Sequence, residues 1–206
     1  LLNQYLVTLF QLGMGSVAEI QMAKKEYSLA AVHSFAVLFS FFSGCGAFLV
    51  FLLSREWLFQ SFLKDANPQF CFIAVLIVPL VLYTLLANKI LIGLNEIPAL
   101  NFFKLIRNVF DLSGFILLLL VFPFGLTGAI TVWVSEVVFL ALLQGFWLLK
   151  LSKGKFDFSW KVIQESFLFG SKVHFAFLPA AAIGQLDSFG HAHFHSRYGW
   201  KSDFLQ

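Results

Sequence analysis

Residues 91–150 read LIGLNEIPALNFFKLIRNVFDLSGFILLLLVFPFGLTGAITVWVSEVVFLALLQGFWLLK. The stretch opens polar at Asn95-Glu96-Ile97-Pro98, carries Asn101, Lys104, Arg107, Asn108 and Asp111, and turns wholly apolar from Phe115 to Phe122. Past Pro123 a second apolar run, Leu126 to Leu149, holds a single carboxylate, Glu136, near its middle. Steps of three and four residues return to one side of a helix, so Lys104, Arg107, Asn108 and Asp111 share a face. The pattern predicts a helix entering a bilayer with a charged stripe at its foot, a tight hairpin, and a helix with a buried acid.

The rest of the chain agrees in composition. It is 59% hydrophobic and 12% charged, with a mean hydropathy of +0.84. A soluble domain of 206 residues could not hide that much apolar surface. Several runs without charge are long enough to cross about 30 Å of hydrocarbon. The fold class is therefore all-α: a polytopic membrane helix bundle. The net charge of +3 says little, because placement matters more than the total. Cys45 and Cys71 lie in or beside apolar runs and read as small packing residues.

Outward from the hairpin, spans are expected at about 1–20, 30–53, 70–87, 105–122, 126–149 and 173–188, roughly six including incomplete ends. The first is read as the remnant of a longer helix and not as a signal peptide, since it has no charged leader. Gly13, Gly15 and Ser16, and the cluster Ser43-Gly44-Cys45-Gly46, would let neighbouring helices approach closely. Pro79 is expected to kink its span, and His33 reads as a hydrogen-bonded structural histidine. Residues 150–172 are basic and amphipathic, with Lys150, Lys153, Lys155, Lys161 and Lys172 among aromatics. That suits a helix lying on an anionic membrane surface better than a nucleic-acid contact. Residues 189–206 form a divergent, histidine-rich tail. Its His191, His193 and His195 alternate as in a strand, with no cysteine near, and are not read as a metal site.

Lysine and arginine are distributed unequally. Segments 21–29, 88–107 and 150–172 hold two, three and five, ten in all, whereas 54–69 holds two and 123–125 none. The positive-inside rule places the first group in the cytoplasm.

Four stretches carry a resemblance to a known family. They are Leu12-Gly-Met-Gly-Ser-Val-Ala followed by Lys24-Lys25; Leu85-Leu86 through Leu94-Asn95 and Asn101; Leu126-Thr-Gly-Ala-Ile; and Phe167-Leu-Phe-Gly-Ser-Lys-Val-His174 leading to Leu186-Asp187. In order and spacing, over residues 1–188, the chain resembles the polysaccharide biosynthesis and O-antigen flippase family of the multidrug and oligosaccharidyl-lipid exporter superfamily. The resemblance implies about half of a two-halved bundle around a central cavity. It also implies a function: flipping a lipid-linked oligosaccharide across the bacterial inner membrane by alternating access. The implied partners are that substrate, membrane lipids and other polysaccharide-assembly proteins, with no nucleic acid and no cofactor. Ser188–Gln206 departs from the family pattern, so residues 1–206 alone are expected not to transport.

Within that frame Lys89, Lys104 and Arg107 are candidates for holding a pyrophosphate at the cytoplasmic mouth. The alternative for each is topology and lipid-headgroup contact. Asp111 and Glu136 are candidates for the transport path or for proton or cation coupling, because a carboxylate at membrane depth costs about 2.5–3.5 kcal/mol and must face a cavity or partner. The plainer alternative for Asp111 is a helix ion pair with Arg107, four residues earlier. Three rival functions stay open: a drug–cation antiporter of the same superfamily, a membrane-embedded polysaccharide-assembly enzyme, and an inactive remnant. The enzyme would need catalytic acids outside the bilayer, and loop 54–69 offers only Glu56 and Asp65. No catalytic residue is assigned and none of the chain is read as an enzyme.

Overall fold

The computed structural model describes residues 2–175 except 62, 65 and 123. Among them there is no strand. The helices are α1 (Leu2–Gln11), α2 (Met14–Ala23), α3 (Leu29–Ser61), α4 (Pro68–Leu76), α5 (Val78–Gly93), α6 (Ile97–Phe115) and α7 (Gly125–Leu151). A π-helical segment, Ile116–Val121, continues α6, and α8 covers 160–175. Three of these elements are long and apolar enough to cross a membrane: α3, the run Pro68–Gly93 that joins α4 to α5, and α7. A fourth is added if α1 and α2 count as one bent span. The chain is thus a multi-pass helical membrane protein.

Local chemistry sets the helix ends. The Ser28 hydroxyl accepts from the Ala31 N–H at 3.2 Å ahead of α3. Asn67 caps α4 by accepting from Gln69 N–H at 2.9 Å, with Pro68 at the first helical position, where its missing N–H costs nothing. Helices α2, α5 and α7 end alike. A left-handed residue, Lys25, Asn95 or Lys153, turns the chain back (φ 56°, 60° and 57°). The next N–H then closes on a carbonyl five residues earlier: Glu26 on Gln21, Glu96 on Leu91, Gly154 on Leu149. All three ends fall in the basic segments that are expected to share one side of the membrane.

Helix α5 is the hub. Its Tyr83, Leu86, Ala87, Ile90 and Leu91 are buried with Met14, Ala18 and Met22 of α2, Val32, Phe35 and Phe39 of α3, Phe103 of α6 and Leu148 of α7. A second cluster joins Leu6 and Val7 of α1, Ala47 and Phe51 of α3, and Cys71 and Val75 of α4. In lipid the apolar effect does not drive helices together, so close approach through small residues must. A Cβ on Gly44 would lie 2.2 Å from Pro79 Cγ, and one on Gly93 would lie 2.4 Å from the Glu19 carbonyl oxygen. The large apolar side chains left over, such as Phe42, Leu53, Leu142 and Phe146, point outward.

Several boundaries differ from those expected. The first span is broken: Leu12 and Gly13 both take positive φ (48° and 70°), and α1 meets α2 at 51°. Only glycine tolerates the second of these positions, because Gly170 packs against it and its carbonyl oxygen would be 2.7 Å from an added Cβ. Helix α6 begins at Ile97, so its charged stripe lies along the body of the helix and not at its foot. Those charges also keep α6 out of the set apolar enough to span alone.

The expected surface helix over 150–172 is not one helix. Helix α7 ends at Leu151, a turn and an extended stretch come next, and α8 starts at residue 160. It is also not left lying apart from the bundle. Val162, Ser166 and Gly170, four residues apart, form a buried stripe against α2, where Gln21 Nε2 donates to Ser166 Oγ at 3.1 Å. At the same end the Tyr27 hydroxyl donates to Glu165, and that acceptor carboxylate pushes the phenol up to about 12. His33 is buried and hydrogen-bonded to the Tyr83 hydroxyl at 2.9 Å, in keeping with its structural reading. The last expected span, 173–188, and the tail with His191, His193 and His195 extend outside the described residues.

Candidate functional site

Helix α7 buries one face, on which Val132, Glu136, Leu140, Gln144 and Leu148 recur every four residues. Two of those five are polar. They turn toward α5 and α6 and help to line a cavity of about 300 Å³. Lys104 and Arg107 of α6, Thr84 and Asn88 of α5, and Asn3 and Gln4 of α1 complete its polar lining. Asn3 is itself fixed, donating to the Ala74 carbonyl at 2.7 Å.

The central contact is an ion pair, Arg107 Nε to Glu136 Oε1, at 2.7 Å. The two ends are unequally placed: the Glu136 side chain is 3% exposed, whereas that of Arg107 is 55% exposed. A buried carboxylate left alone would cost several kcal/mol, so Glu136 depends on this guanidinium. Arg107 reaches it from a face of α6 that nothing else in the described residues covers. Asn101, Lys104 and Asn108 on that face are exposed as well. Asp111 stands close enough to Glu136 to act on it, so a second carboxyl lies beside the ion pair. Counting about 1.5 Å per residue, Arg107 lies about 15 Å along α6 from Ile97, and Glu136 about 16 Å along α7 from Gly125. The pair lies near the middle of both helices.

About two turns further along α7, Gln144 Nε2 donates to Asn88 Oδ1 at 3.0 Å. Gln144 Oε1 is buried with no partner among the described residues. Sequence reasoning did not single out these amides. The available signal was the two-turn spacing from Glu136 to Gln144 within an otherwise apolar span.

Of the expected residues, the structure brings Lys104, Arg107, Asp111 and Glu136 together. It does not bring Lys89 to them. Lys89 Nζ pairs with Glu19 Oε2 of α2 at 2.7 Å, away from the cavity lining. The reason is angular: Asn88 faces the cavity, and one further residue turns the helix by about 100°. Nor is Arg107 taken up by Asp111 along its own helix; its partner sits on α7.

Lys104 has no ion-pair partner among the described residues, so the cavity offers one engaged cation and one free one. Chemically this suits an anion that can compete with Glu136 for Arg107, or a cation that can compete with Arg107 for the two carboxyls. No family model, no curated protein and no solved structure matches the chain.

Proposed function

We propose that this chain is the first half of a bacterial inner-membrane exporter that flips a lipid-linked oligosaccharide by alternating access. In this reading the spans are α1 with α2, α3, α4 with α5, α6 with its π-helical continuation, α7, and a last one that begins with α8. The second half of the bundle faces the uncovered polar side of α6. The observation that carries the proposal is that side itself: a mid-helix Arg107–Glu136 pair with Lys104 beside it, on a surface that hydrocarbon could not solvate. Arg107 and Lys104 take the pyrophosphate of the substrate, the guanidinium by a two-pronged contact. Glu136, displaced from Arg107, takes up a proton or cation, which couples the two events. The drug–cation antiporter is the second reading, favoured by Asp111 standing beside Glu136.

The test is genetic. The complete protein, with this chain followed by a second set of spans, should restore surface polysaccharide to a strain lacking its own flippase. Residues 1–206 alone should not. Rescue by residues 1–206 alone would overturn the two-half arrangement. Drug export without polysaccharide rescue would select the antiporter.

Orientation has its own test. Single cysteines placed in 54–69 should react with an impermeant thiol reagent from outside, and those in 150–159 should not. This expectation rests on ten lysines and arginines on one side against two on the other. Reversed labelling would place the basic ends outside the cell.

A further inference from the structure

A second cavity, of about 460 Å³, lies on the opposite side of α7 from the polar one, between α3, α5 and α7. Its rim is Phe41, Leu142 and Phe146, which are 58%, 69% and 67% exposed on two membrane-spanning helices, so it opens sideways into hydrocarbon. Its inner wall includes His33 and Ser40, both buried. Neither His33 Nδ1 nor Ser40 Oγ has a hydrogen-bond partner among the described residues. Both atoms are themselves covered, so the surface that the cavity presents is almost wholly apolar and suits an acyl chain.

The upper end is closed by Phe156, whose ring stacks on His33 at 5.8 Å between centroids. Between Leu149 and Phe156, both lining residues, the chain carries Lys153 and Lys155. Both lysines are exposed and have no ion-pair partner among the described residues. The acid closest in sequence, Asp157, is held toward α3, where Ser28 Oγ donates to its carboxylate at 3.4 Å and its N–H donates to Ser34 Oγ at 3.1 Å, and two lysines against this one acid leave the segment positive. His33 lies four residues into α3, about 6 Å from its start.

We infer that this cavity is a binding site for one anionic phospholipid of the cytoplasmic leaflet. An acyl chain fills the apolar space between α3 and α7 and passes Ser40. Its ester region sits against the stacked Phe156 and His33 rings that close the upper end. The phosphate sits with Lys153 and Lys155. The occupant is a lipid because the opening faces the bilayer core, and an anionic one because the free charge above that opening is positive.

The experiment uses the full chain in nanodiscs with phosphatidylglycerol or phosphatidylcholine carrying a photoactivatable group on the acyl chain, followed by peptide mapping. Label from phosphatidylglycerol should concentrate around Phe41 and Leu142, relative to Leu53 and Leu112 on other outward faces. It should exceed phosphatidylcholine label there by about 25-fold, since each of the two lysines near the surface contributes about fivefold. Val37→Trp, which fills the cavity from its rim, should remove the enrichment. The exposed pair Lys153→Gln/Lys155→Gln, which threatens no packing, should bring the two lipids level. Uniform label along all outward faces, label unchanged by Val37→Trp, or equal label from both lipids in the unaltered chain would overturn the inference. None of these readouts depends on transport.

Discussion

Arg107→Glu is expected to abolish transport and to lower the amount of folded protein. The substitution would put three carboxyls together, at positions 107, 111 and 136, in a site where Glu136 is 3% exposed. Breaking a buried pair by removing one partner costs about 3–5 kcal/mol, and reversing its sign costs at least that. Loss of activity alone would therefore not separate stability from substrate binding. The exchanged pair Arg107→Glu/Glu136→Arg does separate them. It restores the ion pair and, with it, thermal stability in detergent, but it moves the guanidinium from α6 to α7. If Arg107 binds the pyrophosphate from the α6 face, the exchanged protein should be stable and still transport about 10- to 100-fold less, the worth of a charge-assisted contact. Arg107→Lys should fall between, because a point charge replaces part of a planar fork. Normal transport by the exchanged protein would assign Arg107 to holding Glu136 and nothing more.

Gly44→Leu is expected to be the most damaging substitution in the fold outside that pair. The added Cβ would lie 2.2, 2.7 and 2.8 Å from Cγ, Cβ and Cδ of Pro79, and a proline ring cannot rotate out of the way. Helix α3 must move off α5, which also pulls His33 from Tyr83. Overpacking of this kind costs about 1–3 kcal/mol where neighbours can shift, and here a rigid ring limits the shift. Gly44→Ala should lower the unfolding midpoint measurably, Gly44→Leu more. Gly44→Ala combined with Pro79→Ala should recover much of the loss, because two small faces can meet again. Cys45→Leu, one residue on and outward-facing, is the control and should change little. An unaltered midpoint for Gly44→Leu would mean that α3 and α5 are not held at this distance.

What the sequence determined by itself was where the chain is helical and where it turns. Runs such as Ala30–Leu53 and Leu126–Leu149 sit inside α3 and α7, because a segment in hydrocarbon must satisfy its backbone hydrogen bonds within itself. Asn67-Pro68 and Asn95-Glu96-Ile97-Pro98 mark real breaks for equally local reasons of capping and φ. The glycine at position 44 was also legible as a place of close approach, though not the ring that approaches it.

The tertiary structure decided which charges meet. Arg107 had an acid one turn away on its own helix, yet its guanidinium is long enough to reach α7, and the more favourable partner is the carboxylate that would otherwise be buried alone. Lys89 looked like a third member of the basic cluster, but a single residue's rotation past Asn88 aims it at Glu19 instead. Residues 150–172 read as a surface helix because their lysines and aromatics are conspicuous, whereas the helix formed there covers 160–175. Their docking depends on the quiet stripe Val162, Ser166 and Gly170, which has meaning only against Gln21 and the bend at Gly13. Helix formation is a property of neighbours in the chain and can be read there. Partner choice depends on how far and in which direction each helix is rotated, and only packing sets that rotation.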